Sequence, residues 1–352
     1  MYIYSSVFTR QPVPPGRFRE LVMAVCKGTY GFEDQALYGN IERWDVSQVR
    51  DFSRAFEGQR TFNRNLSLWN TSRATNMTAM FRGAWAFNAP IGAWDVSKVL
   101  SMDCMFYDAK AFNAPIGAWN VSRVVDMSSM FHGALAFNQP VGDWDVRSAV
   151  YLQEMFRDAR AFNQSLENWN LRAGPVSLRC MFRDARAFNA PIGRWRMGGR
   201  VTNMANMFHG AWAFHQPLGT WDVSRVTNMT GMFRDARAFN QPLESWDVGR
   251  VTNMSGMFSD TWVFNQALEN WDLRSLESIQ GMFQNARGFR QSLRKQYVPC
   301  CRVVHWRQDE DRSDWGNGLP SDRAPVICST GRIIAEGLRQ RRRRKIARSL
   351  YV

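Results

Sequence analysis

The chain has 352 residues, a formal net charge of +14 at pH 7 and a pI near 10.1. Its hydrophobic content of 45% excludes a chain that is disordered throughout, and no apolar run of about 18 residues provides a membrane-spanning helix. The excess of positive charge indicates either a well-solvated surface or an anionic partner, such as nucleic acid, an acidic glycan or a membrane surface.

The first 40 residues are predicted to be an N-terminal extension and cap, residues 1–40. Within them, the segment RFRELVMAVCKG predicts a helix with Leu21, Val22 and Val25 on one side, suited to cover the first repeat. The opening residues lack a basic segment followed by an apolar one. As written, the sequence therefore predicts an intracellular chain with no signal peptide.

A tryptophan recurs every 25 or 26 residues through a predicted repeat array, residues 41–293. A fixed period in this range is typical of a solenoid, in which each unit stacks on its neighbours and like side chains form continuous columns. The ten repeat tryptophans are Trp44, Trp69, Trp94, Trp119, Trp144, Trp169, Trp195, Trp221, Trp246 and Trp271.

Each unit has two halves with different periodicity. The motif M-x-x-M-F-x-x-A, as in 77–84, has apolar spacing i, i+3, i+4, i+7 and predicts a short helix, partly 3₁₀, with the preceding Asn76 as its N-cap. The motif P-[LI]-x-x-W-D-V-S alternates apolar and polar residues and predicts a strand between polar corners. We expect an α/β leucine-rich-repeat-like solenoid of about ten coils with a parallel sheet; a parallel β-helix-like solenoid is the alternative.

The lines WDVS-x-VTNM-x-x-MF-x-x-A and FNQPL resemble the BspA-like leucine-rich-repeat surface-protein family. The match is to its variant with tryptophan-containing 25-residue units, first noted in mycoplasma lipoprotein-associated proteins. The resemblance implies an extended solenoid, an adhesion-type role and no enzymatic activity. It also implies a cell-surface or secreted location, if the N-terminus is incomplete.

The sequence contains no recognised catalytic, metal-binding or cofactor-binding motif. Asp95, Asn120 and Asp145 fall in one column, where a turn-forming role accounts for all of them. His132 and His209 share another column but lie three units apart, too far to share one metal. We therefore predict no enzyme, no bound metal and no cofactor.

Two groups of cations are candidate anion contacts. One residue per unit, just before the Val-Thr-Asn-Met column, is predicted to form a basic stripe: Arg73, Lys98, Arg123, Arg200, Arg225 and Arg250. The remaining chain, residues 294–352, is predicted to be a partly disordered basic tail with a cluster of Arg341, Arg342, Arg343, Arg344 and Lys345.

Three functional hypotheses follow. The first is a non-enzymatic module that binds a protein or surface-glycan partner through its repeated face. The second is a polyanion or nucleic-acid binder that uses the basic stripe and the tail. The third is a structural repeat protein with no fixed ligand. The units beginning at Trp169 and Trp195 are 26 residues long and have altered Gly-containing corners, which indicate either sequence drift or a binding feature.

Overall fold

The computed structural model of the chain describes residues 10–171, 177–197 and 199–291. The regular elements in these ranges are α1 (Phe18–Lys27), α2 (Phe32–Tyr38) and one 3₁₀ turn (Ile41–Arg43). The predicted N-terminal helix is confirmed as α1. In the described ranges, no helix combines the length and apolarity that crossing a membrane requires. The predicted basic tail lies outside the described residues.

Helix α1 covers one end of the repeat array. Phe18, the first residue of α1, meets Phe52 and Trp69 with ring centroids 5.1 and 5.7 Å apart. Leu21 and Val22 are fully buried against the same core, and Val25 packs against it while partly exposed. The helix therefore shields the apolar end of the first units from water, as a terminal cap must.

Successive repeat units lie directly on one another, because like rings stack in columns. Phe81 and Phe106 have parallel rings 5.7 Å apart, and Trp195 lies 5.8 Å from Trp221 with the ring planes 2° apart. The indole Nε1–H of each repeat tryptophan from Trp69 onward donates to a backbone carbonyl of the preceding unit, at 2.7–3.3 Å. The rings therefore supply the apolar core, and the indole hydrogen bonds fix the register.

The M-x-x-M-F-x-x-A segments form overlapping turns where a helix was predicted. In segment 77–84, the N–H groups at 77, 79, 81 and 83 donate to carbonyl oxygens of the next unit at 2.7–3.0 Å. The N–H groups at 80, 82 and 84 close turns within the unit. In a helix over this segment the N–H groups at 81 to 84 would form i→i−4 bonds, so the bonds from 81 and 83 to the next unit replace it.

Two left-handed residues per unit produce these turns, with φ between 52° and 73°. Of the two left-handed positions in each unit, the second along the chain carries only Gly, Asp or Asn, the residues that adopt this conformation most readily. The first-position residues are Arg54, Ala79, Cys104, Ser129, Glu154, Cys180, Asn206, Gly231, Gly256 and Gly281. The second-position residues are Gly58, Gly83, Asp108, Gly133, Asp158, Asp184, Gly210, Asp235, Asp260 and Asn285.

Extended pairing is limited to single parallel bridges in the described part of the array, such as Asn76 with Ser101. The bridges between repeat units fall seven residues after the tryptophan, or eight in the two longer units, and the bridge at a W-D-V-S motif joins Asp45 to Pro12 of the N-terminal extension. At that motif the chain turns, because Asp95 Oδ1 accepts the Ser97 N–H at 2.9 Å. Asn76, the predicted helix cap, likewise accepts the Thr78 N–H at 3.0 Å.

The F-N corner is held by a ladder of asparagine side chains. Asn113 Oδ1 accepts the Asn138 N–H at 2.9 Å, and the same contact recurs along the array. His215 occupies this column in one unit, where its own N–H still donates to Asn189 Oδ1 at 2.9 Å. Each such bond joins neighbouring units, so the ladder fixes their spacing at the corner.

Candidate interaction surfaces

The six residues of the basic stripe lie at equivalent corners of the stacked units, and all six side chains are exposed. Each precedes a buried aliphatic residue, such as Val99 after Lys98, and the residue after that faces outward again. This alternation places the stripe on the outside of the array. Residues 172–176 interrupt the described part of the stripe, and the cluster 341–345 lies outside the described residues.

Carboxylates and other polar groups accompany the stripe. Hydrogen bonds from Ser97 hold the pKa of Asp95 below its ordinary value, and the charge of Lys98 lowers it further. Asp222 has the same arrangement with the next serine and with Arg225. Arg73 Nη1 donates to Gln48 Oε1 at 2.8 Å. The corner therefore carries both signs of charge, which weakens the field that a polyanion would meet.

An apolar strip lies beside the middle of the stripe. Leu100 and Val125 are equivalent residues, six positions after their tryptophans, and are 45% and 37% exposed. Tyr151, in the next unit, lies seven positions after Trp144 and is 49% exposed. Lys98 and Arg123 precede the first two by two residues, so they lie on the same outward-facing edge. The bridges 101–126 and 126–151 hold these three units in register at this edge. We call Leu100, Val125 and Tyr151 the apolar strip.

A charged cluster surrounds Glu154 in the centre of the array. Its carboxylate lies 2.7 Å from Arg179 Nη1, 3.0 Å from Arg157 Nη1 and 3.5 Å from His132 Nδ1. Burial, and then the charge of Arg157, holds the pKa of His132 below its ordinary value. The His132 side chain is only 12% exposed. The shared carboxylate joins three units and gives the cluster a structural role.

The described residues offer little enclosed space. A cavity of about 380 Å³, open to solvent, lies at the W-D-V-S corner of one unit and is lined by 142–147, Asn168 and Asn170. Asp143 and Asp145 are its carboxylates, and Asp145 pairs with Arg147 at 2.7 Å. Within the described ranges, no three His, Cys, Asp or Glu side chains are grouped as metal ligands.

The basic stripe was predicted from the sequence, whereas the apolar strip was not. Asp95, Asn120 and Asp145 each accept an N–H two residues ahead, which confirms their predicted turn-forming role. Leu100 and Val125 share a column with Thr75, Val150 and Thr227, and Tyr151 lies in the next column, which holds Asn, Asp or Ser in the other units. Apolar residues in columns that are polar in most units were therefore the available signal, and the helix–strand interpretation concealed that these positions face solvent.

Comparison with known proteins gives a family and two distant structural similarities. No curated protein matches the chain. A crystal structure of the TLR13–ssRNA13 complex is 10% identical, with a TM-score of 0.22, over 80% of this chain and 50% of that one. A leucine-rich-repeat protein from Bacteroides ovatus ATCC 8483 is 11% identical, with a TM-score of 0.18, over 71% of this chain and 82% of that one. These TM-scores are too low to support a conclusion, and the chain spans about half the length of the first structure. The family model described as "Mycoplasma protein of unknown function, DUF285" matches residues 27–134, 89–195 and 176–296, so the chain belongs to this family.

Proposed function

We propose that the chain is a non-enzymatic interaction module, a leucine-rich-repeat-like solenoid that binds a protein partner at the apolar strip. The observation that carries this proposal is the exposure of Leu100, Val125 and Tyr151 in three consecutive units. The proposal includes the adhesion-type surface role implied by the resemblance to BspA-like proteins.

The composition of this edge matches a protein interface. Such interfaces have an apolar centre enriched in aromatic residues and a polar rim, and contiguous exposed apolar side chains commonly mark them. Here the apolar strip is the centre, and Lys98 and Arg123 form part of the rim. Leu68 is 69% exposed but lies outside the apolar strip. A single exposed apolar residue is ordinary on a protein surface.

Site-specific photo-crosslinking tests the proposal. A benzoylphenylalanine placed at Val125 in the source cells should give a discrete protein adduct, whereas the same group at Leu68 should not. The purified partner should then bind the wild-type chain, lose at least about tenfold in affinity for Val125→Asp, and bind Leu68→Asp normally. Adducts that are absent at Val125, or equal at the two positions, would refute the proposal, and a glycan-array signal lost in Val125→Asp would assign the site to a surface glycan instead.

Polyanion binding is the second candidate, because all six stripe cations are exposed along one edge. The affinity of the chain for heparin or nucleic acid should then fall steeply between about 50 and 200 mM salt, since contacts with a polyanion release counterions. Replacing Arg73, Arg123 and Arg225 with Gln should reduce that salt dependence. If the variant keeps the full dependence, the stripe is not the polyanion site. A chain that gives neither adducts nor polyanion binding would favour a structural repeat protein without a fixed ligand.

A further inference from the structure

A second outward-facing column contains six cations and three tryptophans. It consists of the residue two positions after the second left-handed residue of each unit: Arg60, Trp85, Lys110, Leu135, Arg160, Arg186, Trp212, Arg237, Trp262 and Arg287. We call this set the cation–aromatic column. It is distinct from the basic stripe, because it lies at the other end of the M-x-x-M-F segment.

In the second half of the column, arginine and tryptophan side chains stack on one another. Arg186 lies 4.0 Å from the centre of one face of Trp212, and Arg237 lies 4.1 Å from the same ring. Arg237 also lies 4.7 Å from the ring of Trp262. Asp235 holds this arrangement, because it accepts hydrogen bonds from Trp212 Nε1 at 2.8 Å and from Arg237 Nε at 2.9 Å. A ligand would therefore meet preorganised groups, and little side-chain entropy would be lost on binding.

Two side chains in this stack, Arg186 and Trp262, are available to contact a ligand. Arg186 is half-buried, and among the described residues no carboxylate lies within ion-pair distance of its guanidinium, whereas Asp235 holds Arg237. Trp262 is 51% exposed, and within the described residues a cation covers its ring from one side only. By contrast, Trp85 lies between Arg60 and Lys110, at 4.2 and 3.9 Å, so both its faces are occupied.

From this geometry we infer that the second half of the cation–aromatic column binds single-stranded nucleic acid. A base stacks on the open face of Trp262, and Arg186 attracts the phosphate backbone. Proteins that bind single strands without sequence preference combine these two features, a basic track and aromatic platforms. The positive net charge of the chain also favours this partner.

Duplex nucleic acid and acidic peptides fit this surface less well. A duplex keeps its bases stacked inside, so it cannot offer a free base to Trp262. An acidic peptide supplies negative charge, but glutamate and aspartate have no π-face for the indole. Val263, 46% exposed beside Trp262, adds an apolar edge suited to a base.

Fluorescence anisotropy with labelled oligothymidylate and the full-length chain tests the inference. In about 50 mM salt, Trp262→Leu should weaken Kd by about 5- to 100-fold, the loss of one base–aromatic stack. Arg186→Gln should reduce the slope of log K against log salt by about 0.7, the loss of one phosphate contact to a single strand. Trp85→Leu and Arg43→Gln are matched controls, because they remove a ring with both faces covered and an exposed charge outside both the basic stripe and the cation–aromatic column. Both controls should keep the Kd and the salt slope of the wild type.

Several results would overturn the inference: no binding in about 50 mM salt, a Trp262→Leu effect below about twofold, or equal affinity for a hairpin duplex. Competition by polyglutamate as effective as that by oligothymidylate would assign the column to an acidic protein partner. An Arg225→Gln effect equal to that of Arg186→Gln would move the binding to the basic stripe. Thermal melting of each variant verifies that lost binding does not reflect unfolding, and the unchanged tail contributes equally in all of them.

Discussion

Replacement of Trp119 tests how a repeat tryptophan stabilises the stack. Its side chain is 4% exposed and stacks on Trp144, with centroids 6.5 Å apart and ring planes 6° apart. Its Nε1–H donates to the carbonyl oxygen of Ile91 at 3.2 Å, and that oxygen also accepts the Trp94 N–H at 3.1 Å. The oxygen therefore keeps one hydrogen bond when the indole is removed, so the ring and its hydrogen bond can be separated by two substitutions.

Trp119→Ala should lower the free energy of unfolding by about 3–5 kcal/mol, because it removes a large buried ring and leaves a cavity. Trp119→Phe should cost about 1–2 kcal/mol, since it keeps an aromatic ring, loses one neutral hydrogen bond and leaves the Ile91 oxygen paired. Urea unfolding followed by circular dichroism measures both, with the shift in midpoint compared at constant m-value.

Trp85→Ala is the control, because this tryptophan is 38% exposed and lies outside the stacked core. It should cost no more than about 1–2 kcal/mol, the value of its contacts with two cations. If Trp119→Phe costs as much as Trp119→Ala, the hydrogen bond and not the ring holds the units together. If Trp119→Ala costs less than Trp85→Ala, the tryptophan column is not the core.

Three further predictions concern the corners and the pH dependence. Gly133→Ala should destabilise the chain more than Gly58→Ala, because both have φ near 70° but only at Gly133 would the new Cβ lie 2.2 Å from an aspartate oxygen of the preceding unit; urea unfolding compares them. The free energy of unfolding should fall as the pH drops from about 7 to 5, because burial lowers the pKa of His132 in the folded state and the unfolded chain then binds more protons, and His132→Gln should flatten this dependence. His215→Asn should raise the melting temperature, since an asparagine there would accept the Asn240 N–H as its column does elsewhere.

Each of these predictions has a result that contradicts it. Equal losses for the two glycine variants would mean that the left-handed backbone alone sets the cost, at about 1–2 kcal/mol. An unchanged pH profile in His132→Gln would mean that other groups control acid stability, and His209→Gln is the matched variant because burial lowers its pKa as well. A lower melting temperature for His215→Asn would show that the asparagine ladder does not limit stability in that unit.

The core columns and the N-terminal helix could be predicted from the sequence. A tryptophan every 25 or 26 residues can bury its ring only if each unit lies on the last, and Trp69, Trp94 and their equivalents do so. Helix α1 was predicted because Leu21, Val22 and Val25 have helical spacing, and the hydrogen bonds of a helix are local to its own segment. The turn-forming role of Asp95 likewise needs only its own side chain and an N–H two residues ahead.

The backbone path within each unit was decided by the tertiary structure. The apolar spacing in 77–84 fits one face of a helix, but alternate N–H groups there bond to the next unit, a partner that no local pattern contains. Gly83 and its Asp and Asn equivalents did carry a local signal, because they favour the left-handed conformation that ends helical geometry. The cation–aromatic column also depends on stacking, since Arg186 and Trp212 are 26 residues apart in sequence and meet only because their units are neighbours. Periodicity thus determines which side chains are buried together, whereas hydrogen bonding between units determines the backbone path and the side chains that share a surface.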